Sequence, residues 1–222
     1  MDKQLASKTC CDSCPLKSCG ARGFVPDDIP AGAHYIIRGE APGKADVEQG
    51  KPFQGQAGFV LKNWLIRAVP QLQVSLEKKK VGFSNVLKCL PAVVSGKPYP
   101  TGETRRQAEE HCAQFTSFPD TAHTIILCGE APQRYHFGPE LDKEDATDRS
   151  LGRDVKGVMG RTGRVYERDG KRWVFAPHPE FILKQPALVQ QGQEALRIAV
   201  GADKLVEPTM VQWDAFLRET NG

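Results

Sequence analysis

Apolar positions in this chain recur with two periods, and the alternation between them predicts the architecture. Ala57, Val60, Leu61, Trp64, Leu65 and Ala68 fall at steps of three and four, the stripe of a helix over 57–69. Ala108, Cys112 and Phe115 repeat that spacing on a second helix, which Thr101 or Thr104 can cap. A third runs from Pro186 to about Val200, with Gly201 as its stop, and a last short one spans Pro208 to Leu217. Between them lie short apolar runs that read as buried strands: Tyr35 to Arg38, Val81 to Leu87 and Thr124 to Cys128. Residues 164–176 read as a hairpin, because Asp169-Gly170 suits a two-residue turn with positive φ. Strands alternating with helices predict a three-layer α/β/α single domain over 1–222, with a central, mainly parallel four-stranded sheet.

The remaining stretches show no period. Residues 1–34 are rich in Cys, Gly and Pro and read as an irregular segment that needs a staple. Residues 44–58 and 91–102 read as loops, Lys78-Lys-Lys80 as a solvated charge run, and 142–163 as an exposed insertion. In a parallel sheet, active groups gather beyond the carboxyl ends of the strands. Three loops qualify, after Arg38, after Val86 and after Ala176. Ile36-Ile-Arg-Gly-Glu-Ala-Pro42 is echoed by Ile126-Leu-Cys-Gly-Glu-Ala-Pro132, two similar strand-to-helix turns.

Composition narrows the class. At 222 residues with 40% hydrophobics, the chain can bury a core, and its net charge of +3 excludes a strongly basic arm while leaving room for a local basic groove. No apolar run approaches the ~18 residues of a membrane span. Met1 to Lys8 lacks the apolar stretch of a signal peptide. A soluble, cytoplasmic, monomeric protein is expected.

Four of the seven cysteines fall in the first 19 residues. In a reducing compartment such crowding favours metal ligation over disulfides. Cys11-x-x-Cys14 can grip one metal centre, and Cys89 and Cys112 are the best candidates for two further thiolates. Cys10 and Cys19 are alternative ligands, whereas Cys128 ends a buried strand and reads as core. The segment from Gly39 to Gly58 holds five glycines, Glu40, Asp46, Glu48 and one aromatic, Phe53. Such a loop can offer backbone donors, a carboxylate and a flat ring to a planar ligand. It is not a Walker phosphate loop, since Gly39-x-x-x-Gly43-Lys44-Ala45 is one residue short and lacks the Ser/Thr. His178-Pro-Glu180 has no P-C-x-x-C after it, which excludes a zinc deaminase.

The order of these motifs resembles the family 4 uracil-DNA glycosylases, the iron–sulfur branch of the uracil-DNA glycosylase superfamily. The matching pieces are Cys11-x-x-Cys14-Pro-Leu, Gly39-Glu-Ala-Pro-Gly43, Gly50-Lys-Pro-Phe53-x-Gly55-x-Ala-Gly58, Ser84-Asn85-Val-Leu-Lys88-Cys89, a distal Cys112 and His178-Pro179. The resemblance implies a four-iron four-sulfur cluster on Cys11, Cys14, Cys89 and Cys112, and excision of uracil from DNA to leave an abasic site. It also distributes the work. Gly39, Phe53 and Asn85 would hold the flipped base, Phe53 by stacking and Asn85 by pairing with O4 and N3–H. Glu40 and Asp46 would face the sugar, with Asp46 the better candidate for orienting water. His178 would donate to O2 of the departing base, and Phe181 to Leu183 could wedge into the gap left in the duplex. Lys44, Lys51, Lys88 and Lys184 lie near enough to touch phosphates, Lys44 and Lys184 foremost. Three features depart from the family: 22 residues separate Cys89 from Cys112, Asp46-Val47 stands for an acidic pair, and Glu180-Phe-Ile-Leu-Lys184 replaces the usual small residue after His-Pro. A non-catalytic DNA-binding relative and a zinc-stapled nucleotide-binding protein are the competing readings.

Overall fold

The computed structural model describes residues 12–68, 80–92, 100–154, 157–185 and 189–201. Cys10, Cys11, most of the 91–102 loop, Lys78-Lys79 and the expected helix 208–217 lie outside the described residues. In chain order the described elements begin with α1 (Pro15–Ser18), β1 (Arg22–Phe24), β2 (Tyr35–Gly39), α2 (Lys44–Gln49) and α3 (Gln56–Ala68). Next come β3 (Val81–Asn85), β4 (Cys89–Leu90), α4 (Gly102–Ala113), β5 (Thr124–Cys128) and α5 (Glu130–Ser150). A 3₁₀ turn (Met159–Arg161), β6 (Val165–Arg168), β7 (Lys171–Ala176), α6 (Pro179–Lys184) and α7 (Val189–Val200) complete the list.

The central sheet has the order β3-β2-β5-β7-β6. The first four strands run parallel, and β6 joins antiparallel through the hairpin. The sheet therefore has five strands where four were expected; Asp169 and Gly170 take φ of 54° and 69°, and that turn folds β6 back as an exposed edge. β3 and β5 are buried at every position, as parallel strands covered on both faces must be. Alternate side chains then feed two cores. Ile37, Phe83, Ile126, Val174 and Ala176 pack with Val60 and Leu61 of α3 and Ile182 of α6. Ile36, Ile125, Leu127, Trp173 and Phe175 pack with Phe137 and Leu141 of α5. Cys128 is fully buried in the first of these cores, and burial pushes its thiol up to about 12, so it stays a protonated apolar filler.

A stretch read as a loop and the one read as an exposed insertion are in part helical. Lys44 to Gln49 forms α2, capped when Asp46 reaches back to the Gly43 amide. Residues 142–150 continue α5, which passes through Pro139 by taking non-helical angles at Phe137. Most described residues of 142–163 are exposed, and the segment is pinned from inside at one point: Asp145 and Arg161 are both buried and ion-paired to each other, and Arg134 adds a contact at 3.1 Å. Gly138-Pro139 and a dense charge run hid this helix, because only Leu141 and Asp145 of its second half face inward.

A small third cluster of Leu16, Leu87, Ala108 and Cys112 joins α1, the chain after β3, and α4. Beside it, β1 pairs antiparallel with β4, tying the N-terminal segment to Cys89.

Candidate active site and cysteine cavity

Gly39 closes β2 and Asn85 closes β3, and the two are opposite each other in the parallel ladder. His178 follows two residues after β7 and caps α6. A cavity of about 370 Å³ opens at this carboxyl edge, lined by Glu40, Lys44, Asp46, Phe53, Asn85 and His178 among others. Gly39 is its floor. A Cβ placed there would lie 2.6 Å from Asn85 Oδ1 and 2.8 Å from Phe53 Cζ, so both side chains crowd the open face that glycine leaves.

Phe53 holds its place at a cost. Its φ of 58° is left-handed, a conformation that costs a non-glycine residue ~1–3 kcal/mol and recurs at ligand clamps. The loop enforces it. Gly58 sits so tightly under Phe53 that a Cβ would come 2.0 Å from the Phe53 carbonyl oxygen, and Lys62 Nζ donates to that oxygen at 3.0 Å. The ring is mostly buried, leaning on Phe83 at 5.8 Å between centroids, while one side borders the cavity. The ring therefore serves as core and as cavity wall.

Asp46 is buried, and both its oxygens accept backbone protons, Oδ2 from Gly43 N at 3.1 Å and Oδ1 from Gln54 N at 2.6 Å. It thereby closes the loop that carries Phe53. Asn85 is 5% exposed, yet among the described residues its side-chain amide makes no hydrogen bond. Its amide borders the cavity and so offers one donor and one acceptor to whatever enters there. On its backbone side Asn85 O accepts from Lys88 Nζ at 2.6 Å.

His178 Nδ1 accepts from Glu180 N at 3.2 Å, so the neutral ring carries its proton on Nε2. Burial pushes its pKa below the ordinary 6.5, against a weaker upward pull from Glu180 and Glu40. The imidazole is neutral at pH 7. Glu40 pairs with Arg105 Nη1 at 2.6 Å. Arg105 was not a candidate on sequence, since it lies on a helix charged almost all round.

The lysines divide. Lys44 is 88% exposed on the cavity rim and Lys184 72% exposed on α6, each with only an i,i+4 glutamate. Lys88 is no surface cation: its side chain is fully buried against Asp27, and burial pushes its ammonium down to about 8. Its place among DNA-contacting lysines is withdrawn, since it braces the β3 end from beneath. Of Phe181 to Leu183, Phe181 is 41% exposed, Ile182 is core and Leu183 borders the cavity.

A second cavity, of about 280 Å³, lies beside the β1–β4 ribbon and is lined by Cys14, Cys89 and Cys112 with apolar Leu16, Phe24 and Phe115. Among the described residues no three metal-ligating side chains converge on a single ion. A cubane holds its ligating sulfurs farther apart than one ion does, around a volume such as this one. Lys88 N–H also points at Cys112 Sγ at 3.3 Å, the kind of amide contact that stabilises a ligating thiolate. Cys14, Cys89 and Cys112 with this lining fit an iron–sulfur cluster, and Cys11 lies outside the described residues. Cys19 does not line the cavity.

Residues 26–199 match the family model described as the uracil DNA glycosylase superfamily. The chain belongs to that superfamily. Among its curated members, the Type-4 uracil-DNA glycosylase of Pyrobaculum aerophilum is 28% identical over 210 residues, 90% of this chain and 93% of that protein. The Type-4 uracil-DNA glycosylase of Archaeoglobus fulgidus is 27% identical over 186 residues, 82% of each. A solution NMR structure from Methanosarcina acetivorans superposes with a TM-score of 0.45 at 10% identity over 80% of this chain and 97% of that one, a likeness too loose to carry weight. Against the superfamily, the cavity at the strand ends occupies the place where α/β sheets bind ligands.

Proposed function

We propose that the chain is a DNA-repair uracil-DNA glycosylase, which hydrolyses the N-glycosidic bond of a flipped-out uracil and leaves an abasic site. The observation that carries this reading is the Asn85 amide, bordering the same cavity as Phe53 with no side-chain hydrogen bond to the described residues. The base must leave the duplex to enter the cavity. Phe53 stacks on it, worth ~1–3 kcal/mol. Asn85 donates to O4 and accepts from N3–H, a pattern that cytosine reverses. As the bond stretches, positive charge grows on the sugar and negative charge on the base. Glu40 and Asp46 stand on the sugar side, and Asp46 keeps lone pairs for a water beyond its two backbone donors. His178 donates its Nε2 proton to O2 of the departing anion. Lys44 and Lys184, both exposed and held only by surface i,i+4 glutamates, would meet phosphates.

Cys11, Cys14, Cys89 and Cys112 would hold a 4Fe–4S cluster, whose thiolate ligation would tie the N-terminal segment to β4 and α4. The protein acts as a monomer within one domain and inside the cell, where its DNA is. Among the described residues, no helix is long and apolar enough to cross a membrane.

The test is a labelled single-uracil oligonucleotide, incubated with brown protein absorbing near ~400 nm and then treated with alkali. Cleavage is expected at uracil and not in thymine-mismatch or plain controls. Binding without base release by cluster-loaded protein would instead establish a non-catalytic relative.

Gly39→Ala gives a second check. Its methyl would meet Asn85 Oδ1 at 2.6 Å and Phe53 Cζ at 2.8 Å, and would thus narrow the base cavity. We expect excision to fall by about 10-fold or more, since misplacement by ~1 Å can cost 100-fold. Unchanged kinetics on the uracil oligonucleotide would place the base elsewhere.

A further inference from the structure

Glu40 is held from the same helix that carries Cys112. On α4, Arg105, Ala108, Glu109 and Cys112 recur at steps of three and four and share one face. Ala108 and Cys112 pack in the small cluster with Leu16 and Leu87. From that face Arg105 reaches out with two edges of its guanidinium, Nη1 to Glu40 Oε1 at 2.6 Å and Nε to Glu109 Oε1 at 2.6 Å. All three side chains are largely buried, with exposures of 20% for Arg105, 26% for Glu40 and 15% for Glu109. The Glu40 main chain is tied to the same region. Leu87 N donates to Glu40 O at 2.9 Å, and Ala41 packs on the Leu16–Leu87–Ala108–Cys112 cluster.

We propose that Arg105 is a positioning residue: it fixes the Glu40 carboxylate at the mouth of the base cavity and transmits to it the seating of the Cys112-bearing helix. The inference rests on the glycosylase reading. Its physical basis is the pair of carboxylates that Arg105 separates. Without the guanidinium, Glu40 and Glu109 face each other as like charges, and Glu40, the more exposed, turns outward to water. That change removes a fixed anion from the side where the sugar becomes positive. Lysine cannot restore the arrangement, because a point charge lacks the planar fork that meets two acids along two edges. The Nη2 of Arg105 is buried with no hydrogen-bond partner, so the fold tolerates an unsatisfied donor to keep this residue in place.

The experiment is a double-mutant cycle in cluster-loaded protein, with single-turnover excision, KM for the uracil oligonucleotide and the ~400 nm absorbance read for each variant. Arg105→Gln is expected to slow excision about 10- to 100-fold with KM within ~3-fold of wild type and absorbance retained. In a Glu40→Gln background, adding Arg105→Gln should slow the enzyme by no more than ~2-fold, because the group that Arg105 places is already gone. If Arg105→Gln fails to fold, Arg105→Lys is run in the same two backgrounds with the same expected pattern. Wild-type rates in both Arg105 variants overturn the proposal. So does an equal slowing in the wild-type and Glu40→Gln backgrounds, which means Arg105 acts independently of Glu40. Absence of uracil release by the wild type is the distinct failure: it overturns the glycosylase reading and this inference with it.

Discussion

Asn85→Ala is expected to lower uracil excision by about 1,000-fold while leaving the fold and cluster intact. The substitution removes two hydrogen bonds to a bound base, which at ~2 kcal/mol each for a desolvated site sum to about 4 kcal/mol. It removes none from the protein, because among the described residues the Asn85 side-chain amide has no partner. The brace beneath survives as well, since Lys88 donates to the Asn85 backbone oxygen rather than to its side chain. Activity and stability should therefore separate. Single-turnover kinetics on a uracil oligonucleotide would be measured beside thermal melting, with Tm expected within ~2 °C of wild type. A rate within 3-fold of wild type would mean that the amide does not read the base. A large drop in Tm would mean that it is a core group, and the cavity would lose its specificity element.

What could be read in advance divides along one physical line. Signals carried by adjacent residues were clear. The apolar runs of β2 and β5, the Asp169-Gly170 turn and the glycines around Phe53 each state their local geometry without help from distant parts of the chain. From them follow the mainly parallel sheet and the gathering of Gly39, Asn85 and His178 beyond its carboxyl edge, but not the order of strands. Features that need remote partners were silent. Nothing in Arg22-Gly-Phe24 marks it as a strand, because its ladder is with Cys89-Leu90, more than sixty residues away. Lys88 reads as a surface cation until Asp27 is folded over it. Arg105 is one charge among many on α4 until Glu40 arrives from β2. The left-handed backbone of Phe53 also has no local cue, since Phe does not prefer it; the close approach of Gly58 and the Asp46 clamp impose it. Charged side chains are thus the least predictable part of this site, for their pKa and exposure are set by whatever packs against them.

His178 makes the second large prediction, and it has a pH signature. His178→Ala should lower kcat about 100- to 1,000-fold, the usual cost of removing one donor aimed at a developing anion. The sign of the pH effect follows from the direction of the shift. Burial lowers the folded-state pKa below 6.5, so the ring is neutral at and above neutral pH and gains a proton only as acid is added. A second proton on the ring would go to Nδ1, the atom that accepts from Glu180 N, and would break the cap of α6. Two consequences are expected. Excision by the wild type should not decline between about pH 6.5 and 8, because its donor is the Nε2–H of a neutral ring that is present throughout. Stability should fall as pH drops below 6.5, since the unfolded chain then binds a proton that the folded chain refuses until the pH reaches its lower value. If His178 worked instead as a cationic acid with an ordinary pKa, kcat would fall tenfold per unit as pH rises above about 6.5. A kcat–pH profile of wild type and His178→Ala, with urea unfolding at pH 7 and 5, distinguishes the two. A falling alkaline limb that disappears in the variant would replace the neutral donor with a proton-transferring imidazolium.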